Sequence, residues 1–220
     1  MEIKYLGHSA FEIKTNEYKI LIDPFLVMSP SYDISDISTI FVTHAHSDHL
    51  GNAIKISQKT GAEIVAVFEL ANYCGLQGAK TRGINLGGWL KFEWGRVIAV
   101  PAFHSSSLAD GTYGGCPCGY IFEIEGKHIY HAGDTSLNSE MKMLGEVYNL
   151  DIAMLPVGGE YTMDIEHAVK ASEWLQANIV IPMHYNTFSA IEIDISDFDK
   201  SIKNIGKNPL ILGINQSIEI

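Results

Sequence analysis

The chain has 220 residues and a formal net charge of −11, with 46% hydrophobic and 19% charged residues. This composition indicates a globular protein with a substantial core, and the acidic balance disfavours nucleic acid as a partner, because phosphate contacts need clustered Lys and Arg. No window is long and apolar enough to span a bilayer, so we expect no membrane association. The first six residues alternate like a strand and lack the pattern of a secretory signal, which predicts a cytoplasmic protein.

No low-complexity tract, charge block or Ser/Pro-rich linker divides the sequence, which predicts a single domain over residues 1–220. The three cysteines, Cys74, Cys116 and Cys118, are an odd number. Cys116 and Cys118 are too close in sequence for an ordinary structural disulfide, and as a metal site they lack a second matching pair. Free thiols also fit a reducing, cytoplasmic compartment.

The strongest chemical signal follows a short apolar segment, Thr39-Ile40-Phe41-Val42, which predicts a buried strand. Three imidazoles and one carboxylate then fall within six positions, at His44, His46, Asp48 and His49. Imidazoles this close would repel one another if protonated, whereas neutral imidazole and carboxylate together suit Zn²⁺, Mn²⁺ or Fe²⁺. On a loop, His44 and His46 can face one ion while Asp48 and His49 face another. The spacing therefore predicts a site for two metals.

Residues 52–61 begin with the capping-type Asn52 and end in glycine, which predicts a helix that opens at this site. Further along, Lys80 and Arg82 lie in a predicted loop, where they either bind an anion or are simply solvated. Trp89, Phe92 and Trp94 fit alternating packing positions in neighbouring strands.

Three single residues of ligand type follow later predicted strands: His104, Asp134 and His184. Alone, each is more typical of a turn or the surface, but with the His-rich loop they form a set that could complete a two-metal site. Asp164 is predicted to be a helix N-cap, because apolar residues recur after it at helical spacing. His128 and His167 are expected on the surface.

The motif His44-x-His46-x-Asp48-His49, with the later His104, Asp134 and His184, resembles the metallo-β-lactamase superfamily of metal-dependent hydrolases. The resemblance spans nearly the whole chain and includes three further segments, Leu21-Ile22-Asp23-Pro24, His131-Ala132-Gly133-Asp134-Thr135 and Pro182-Met183-His184-Tyr185. The opening Tyr5-Leu6-Gly7-His8-Ser9-Ala10-Phe11 looks like the branch related to ascorbate-6-phosphate lactonases. The resemblance implies an α/β (α+β) fold, a four-layer αββα sandwich of two similar halves.

Carried over by position, the resemblance implies two divalent metal ions, with zinc as the first choice and manganese or iron as alternatives. One ion would be held by His44, His46 and His104, the other by Asp48, His49 and His184, and Asp134 would bridge them. A hydroxide bridging the ions would be the nucleophile, and the ions would polarise a carbonyl or phosphoryl oxygen.

Four further residues receive roles from the same resemblance and from their positions. Asp48 would orient the hydroxide. His8 would serve the substrate or proton transfer, with packing as its alternative. Tyr185 would donate a hydrogen bond to a developing oxyanion, or would brace His184. His131 would support Asp134 from behind, or would simply be a strand residue that faces inward.

The sequence thus predicts a metal-dependent hydrolase of a small-molecule ester, lactone or phosphodiester. The alternatives are a nuclease or phosphodiesterase acting on nucleic acid, a di-iron redox protein of the same fold, and a non-catalytic metal sensor. Asp164 and Asn186 stand where relatives commonly carry glycine, which puts the substrate in doubt. Phe25, Met28 and Tyr32 are candidate pocket walls. The substrate, the native metal and the oligomeric state are not predicted.

Overall fold

The structure is a computed structural model that describes all 220 residues. The chain forms two compact units, the first from Met1–Trp89, Ser105–Pro117 and Leu212–Ile220, the second from Leu90–His104 and Cys118–Ile211. Each unit is therefore built from separate pieces of sequence. The single domain predicted over residues 1–220 stays a prediction. None of the helices combines the length and the apolar character needed to cross a membrane.

The first unit contains a seven-stranded sheet in the order β14-β1-β2-β3-β4-β5-β6. The strands up to β3 are antiparallel to their neighbours, and the pairs from β3 to β6 are parallel. The strands are β1 Glu2–Gly7, β2 Ala10–Lys14, β3 Lys19–Ile22, β4 Ile37–Phe41, β5 Glu63–Val67, β6 Thr81–Ile84 and β14 Ser217–Glu219. The helices are α1 Ser47–Leu50, α2 Ala53–Thr60 and α3 Phe68–Leu76.

The second unit repeats this plan with a seven-stranded sheet in the order β13-β12-β11-β10-β9-β8-β7. The strands of this sheet are β7 Trp89–Phe92, whose first residue is the last of the first unit's opening segment, β8 Gly95–Pro101, β9 Cys118–Ile124, β10 Lys127–His131, β11 Ile152–Pro156, β12 Ile179–Met183 and β13 Asn208–Pro209. The pairs from β10 to β13 are parallel. The helices are α4 Glu140–Val147, α5 Ile165–Leu175 and α6 Ile195–Asn204. The predicted α/β class, with two similar halves, is confirmed.

The central parallel strands are deeply buried: β11 is buried along its whole length, and β4, β5 and β12 are buried at all but one position. Strands covered on both faces read as continuous apolar runs, which is why β4 and β12 were recognisable in the sequence. The predicted helix at residues 52–61 is α2, which ends at Gly61 with a left-handed φ of 78°. Asp164 caps α5 as predicted, because its side chain accepts a hydrogen bond from the His167 backbone N–H at 2.8 Å.

Two local predictions were wrong. Arg82 lies on the edge strand β6, not in a loop, because Ile64 to Val67 pair in parallel with Thr81 to Ile84. Trp94 lies in the turn between β7 and β8, where its ring stacks on Phe92 with centroids 4.6 Å apart.

Candidate metal centre

The His-rich motif begins where β4 ends, in the parallel part of the first unit's sheet. His44 and His46 lie in the connection, as predicted, and His44 Nε2 faces His46 Nδ1 at 2.9 Å. Asp48 and His49, predicted on the same loop, lie instead in the single-turn helix α1. An acidic residue in a first turn interacts favourably with the exposed N–H groups there. The turn presents its side chains differently from an extended loop, and it places the His49 ring beside His44, with the ring centroids 4.1 Å apart.

His8 joins this motif from the turn between β1 and β2. Its Nε2 lies 3.1 Å from Asp48 Oδ2, and the candidate ligand atoms of His8, Asp48 and His49 all lie within 4.8 Å of one another. His8 is fully buried and has a φ of 56°, which non-glycine residues rarely adopt. The Tyr5 hydroxyl donates to the His8 carbonyl at 3.1 Å and so fixes this strained turn.

Asp23 organises two of the motif's histidines from behind. Its carboxylate accepts hydrogen bonds from the Thr43 N–H at 2.8 Å, from the Thr43 hydroxyl at 2.7 Å and from His49 Nδ1 at 2.8 Å. Since the single Thr43 hydroxyl proton goes to Asp23, the Thr43 oxygen accepts from His44 Nδ1 at 3.0 Å. Both imidazoles then carry their proton on Nδ1, which leaves each Nε2 lone pair available to a metal.

A loop over residues 105–117 packs against the motif within the first unit. The Ser106 hydroxyl accepts a hydrogen bond from the Ala45 N–H at 3.2 Å, and Ser105 Oγ lies 3.5 Å from His46 Nε2. A Cβ at Gly114 would lie 2.2 Å from the Cβ of Ala45, so only glycine permits this approach. The loop thereby holds the His44–His46 segment in place.

The second unit gathers the remaining three predicted ligands. Asp134 Oδ2 lies 3.1 Å from His184 Nε2 and 3.6 Å from His104 Nε2. His184 and Asp134 are buried, whereas the side chain of His104 is 14% exposed. His184 has a φ of 55°, and a Cβ at Gly158 would lie 2.3 Å from its carbonyl oxygen. The close backbone contact at Gly158 holds His184 in this unusual conformation.

Thr135 connects the His104 and Asp134 segments. Its hydroxyl accepts a hydrogen bond from the Phe103 N–H at 3.0 Å, and the Ser136 N–H donates to the Phe103 carbonyl at 3.1 Å. His131 lies at the end of β10, fully buried, and its Nδ1 accepts from the Gly133 N–H at 3.2 Å. His131 thus shapes the turn that presents Asp134, which agrees with a supporting position.

The loop after His184 contains the predicted Tyr185. Burial raises the pKa of the Tyr185 hydroxyl, so it stays protonated and able to donate at neutral pH. Asn186 has a φ of 54°, and its side chain forms two hydrogen bonds with the backbone of Ile193, at 2.7 and 3.2 Å. Asn tolerates the left-handed conformation that favours glycine, so Asn186 adopts this backbone geometry without being glycine.

Other residues noted in the sequence lie as follows. Phe25 contacts His8 edge-on at 5.7 Å between ring centroids, and Met28 packs against Gly7. Tyr32 donates a short hydrogen bond to the buried Glu12. The side chain of His167 is 57% exposed, as expected. His128 was also expected on the surface, but its side chain is half-buried beside Glu123. Cys74, Cys116 and Cys118 form no disulfide.

The donor set of each unit fits divalent metal ions. All candidate ligand atoms are imidazole nitrogens or carboxylate oxygens, the mixture that zinc, manganese and iron accept. Sequence reasoning missed three supporting residues, Asp23, Thr43 and Thr135. Asp23 directly follows the apolar residues Leu21 and Ile22. An acidic residue at the end of an apolar strand is the sequence signal that could have identified it as a supporting residue.

Residues 2–184 match the family described as a beta-lactamase superfamily domain. A relative from Bacillus cereus, named UPF0173 metal-dependent hydrolase, is 44% identical over 213 residues, which cover 93% of this chain and 94% of the relative. Igni18, a novel metallo hydrolase from the archaeon Ignicoccus hospitalis, has a TM-score of 0.90 at 35% identity, with 99% and 97% of the two chains covered. CmlA, a diiron β-hydroxylase from Streptomyces venezuelae, has a TM-score of 0.80 at 12% identity, with 100% of this chain and 54% of CmlA covered. That last likeness shows the fold alone.

Proposed function

Since this chain belongs to the beta-lactamase superfamily and is a metal-dependent hydrolase of the UPF0173 kind, we propose that it hydrolyses a small molecule at a dinuclear metal centre. Its fold is of the metallo-β-lactamase type, as predicted. The proposed scissile group is an ester, a lactone or a phosphodiester. The main observation behind this proposal is that each unit collects buried or half-buried imidazole and carboxylate groups close to the ends of its parallel strands.

In this proposal His44, His46 and His104 would hold one ion, and Asp48, His49 and His184 would hold the other. Asp134, which is within 3.6 Å of two of these histidines in its own unit, would be shared by the two ions. When bound, the ions, zinc or else manganese or iron, supply an activated water and polarise the scissile group. The Thr43 and Asp23 hydrogen bonds support this assignment because they orient two Nε2 lone pairs.

The chain's own groups complete the chemistry. Asp48 positions the attacking water, and the buried His8, 3.1 Å from Asp48, holds or transfers a proton beside it. Tyr185 donates a hydrogen bond to the oxygen on which negative charge develops, and its raised pKa keeps the hydroxyl protonated for that role. We place the protein in the cytoplasm because its cysteines are free.

The nuclease alternative is disfavoured by the net charge of −11. The experiment is metal analysis of tag-free protein by plasma mass spectrometry, paired with a hydrolysis screen of lactones, esters and phosphodiesters under each metal. We expect two ions per chain and turnover that is lost in His46→Ala, while His167→Ala on the exposed face of α5 keeps both. A chain with no bound metal under any condition would overturn the proposal, and two redox-active irons without hydrolysis would favour the redox alternative.

A further inference from the structure

The first unit carries a second concave surface that the proposed chemistry does not use. It is a groove of about 490 Å³ between the loop after β3 and helix α2, which we name the α2 groove. This volume falls in the range of small-molecule sites, roughly 300–1,000 Å³. The lining residues are Leu26, Val27, Pro30, Tyr32, Ile34, Asn52, Lys55, Ile56 and Lys59.

The α2 groove has an apolar floor and wall. Ile56 and Leu26 are buried beneath it, and Val27 is 64% exposed at its edge. Its two sides are fixed to each other, because Asn52 Oδ1 accepts a hydrogen bond from the Leu26 N–H at 3.2 Å. Tyr32 is held from the other direction by its short bond to Glu12. An exposed valine on a fixed apolar surface is available to an apolar ligand.

One rim of the α2 groove is positively charged. Lys55 and Lys59 stand one helical turn apart on α2, both are exposed, and neither forms an ion pair. No acidic side chain lines the groove, although Asp and Glu outnumber Lys and Arg by 26 to 15 in the chain. Two uncompensated cations beside an apolar surface complement a ligand with an apolar body and an anionic head.

We propose that the α2 groove binds a small anionic amphiphile, an alkyl or aryl chain ending in a phosphate or a carboxylate. The chain lies on Val27 and Ile34, and the head lies between Lys55 and Lys59. This binding does not depend on the metal centre.

The test is titration calorimetry of the full chain with n-octyl phosphate and with octanoate, before and after treatment with EDTA. We expect binding that persists after metal removal and that strengthens roughly two- to fourfold per added methylene group from hexyl to octyl phosphate. The stronger of the two octyl ligands identifies the head group. Octanol and inorganic phosphate are expected to bind at least tenfold more weakly.

The double variant Lys55→Gln/Lys59→Gln is expected to bind octyl phosphate about fivefold to tenfold more weakly at low salt, since each exposed ion pair contributes modestly. Lys142→Gln/Lys200→Gln removes the same charge from exposed, unpaired lysines on α4 and α6, and it is the matched control. Val27→Thr tests the apolar wall and leaves both lysines in place. Equal weakening in both double variants, unchanged affinity in Lys55→Gln/Lys59→Gln, or binding that is lost with the metals would overturn the proposal.

Discussion

Four non-glycine residues beside the proposed ligands, or among them, have a left-handed backbone: His8, Asp23, His184 and Asn186, with φ between 43° and 56°. Each such residue costs on the order of 1–3 kcal/mol unless its surroundings compensate. Compensation is visible, for example in the hydrogen bonds of Asn186 to Ile193 and of Asp23 to Thr43. These four are among nine non-glycine residues of the chain with a positive φ, and at the proposed site this conformation fixes the direction of side chains that would bind or support the metals.

Asp23→Asn should weaken metal binding while the protein stays folded. An amide cannot accept hydrogen bonds on both of its terminal atoms. The Asn side chain therefore loses either the Thr43 N–H bond at the Oδ1 position or the Thr43 hydroxyl and His49 bonds, which share the Oδ2 position, and in both cases the negative charge behind His49 is gone. Loss of such a supporting carboxylate typically reduces metal affinity about 10–100-fold. Metal titration against a chelating dye measures this. Asp110→Asn, in an exposed loop, is the control, and wild-type affinity in Asp23→Asn would show that Asp23 has only a packing role.

His8→Asn should lower turnover while both metal ions are retained. Asn tolerates the positive φ at this position but cannot exchange protons, so a proton-transfer role predicts a fall in kcat of about 100-fold or more. Metal analysis and steady-state kinetics on the same preparation measure the two effects. Loss of one ion in His8→Asn would instead make His8 a metal ligand, and unchanged kcat would assign it to packing.

At the level of elements, the sequence predicted secondary structure best where a single pattern, such as an apolar run or a helical period, was strong. Buried strands such as β4 and β12 read as apolar runs, and the Asp164 cap preceded a clear helical period. Helix α1 was missed because four residues are too few to show a period. Asp23 received no role because its partners are 20 and 26 positions away, and only the fold brings Thr43 and His49 to it.

Gly51 is the residue that allows α1 to turn into α2, and Gly51→Ala should destabilise the first unit. A Cβ there would lie 2.5 Å from the Pro24 carbonyl oxygen, and the φ of 43° is strained for alanine. Gly61, at the end of α2, also has a positive φ of 78°, but a Cβ there meets nothing within 4 Å.

Gly61→Ala therefore measures the backbone cost alone, about 1 kcal/mol, and Gly51→Ala should lose at least about twice as much free energy of unfolding. Urea unfolding of the two variants makes the comparison. Equal losses would show that the Pro24 segment moves away readily and that the motif has room to relax.

At the scale of the whole molecule, one of the points where the chain passes from one unit to the other is adjacent in sequence to a proposed ligand. One unit boundary falls directly after His104, and the segment that follows it returns to the first unit, where Ser106 binds the backbone of the His-rich motif. The same short stretch thus contributes a candidate ligand to one unit and a contact with the motif to the other. Neither unit is a continuous segment, so we expect the fold to require the chain from β1 to β14.

Because the proposed ligands come from both units, bound metal should stabilise the entire chain. A ligand that binds only the folded state adds RT ln(1 + [M]/Kd), about 2.7 kcal/mol at one hundred times Kd, which corresponds to a rise in Tm of roughly 5–10 °C for a protein of this size. Thermal unfolding with zinc, with manganese and after EDTA measures the effect.

Magnesium is the informative control in that experiment, since it prefers oxygen ligands in an octahedral shell and the candidate site is rich in imidazole. We expect little change in Tm with magnesium and a clear rise with zinc or manganese. His46→Ala, which removes a proposed ligand from the half-buried edge of the motif, should reduce the zinc-dependent rise, while the Tm after EDTA stays near that of the wild type. An equal rise in Tm for zinc and magnesium would indicate non-specific binding at the acidic surface. The rise in Tm would then no longer support a metal centre with histidine ligands.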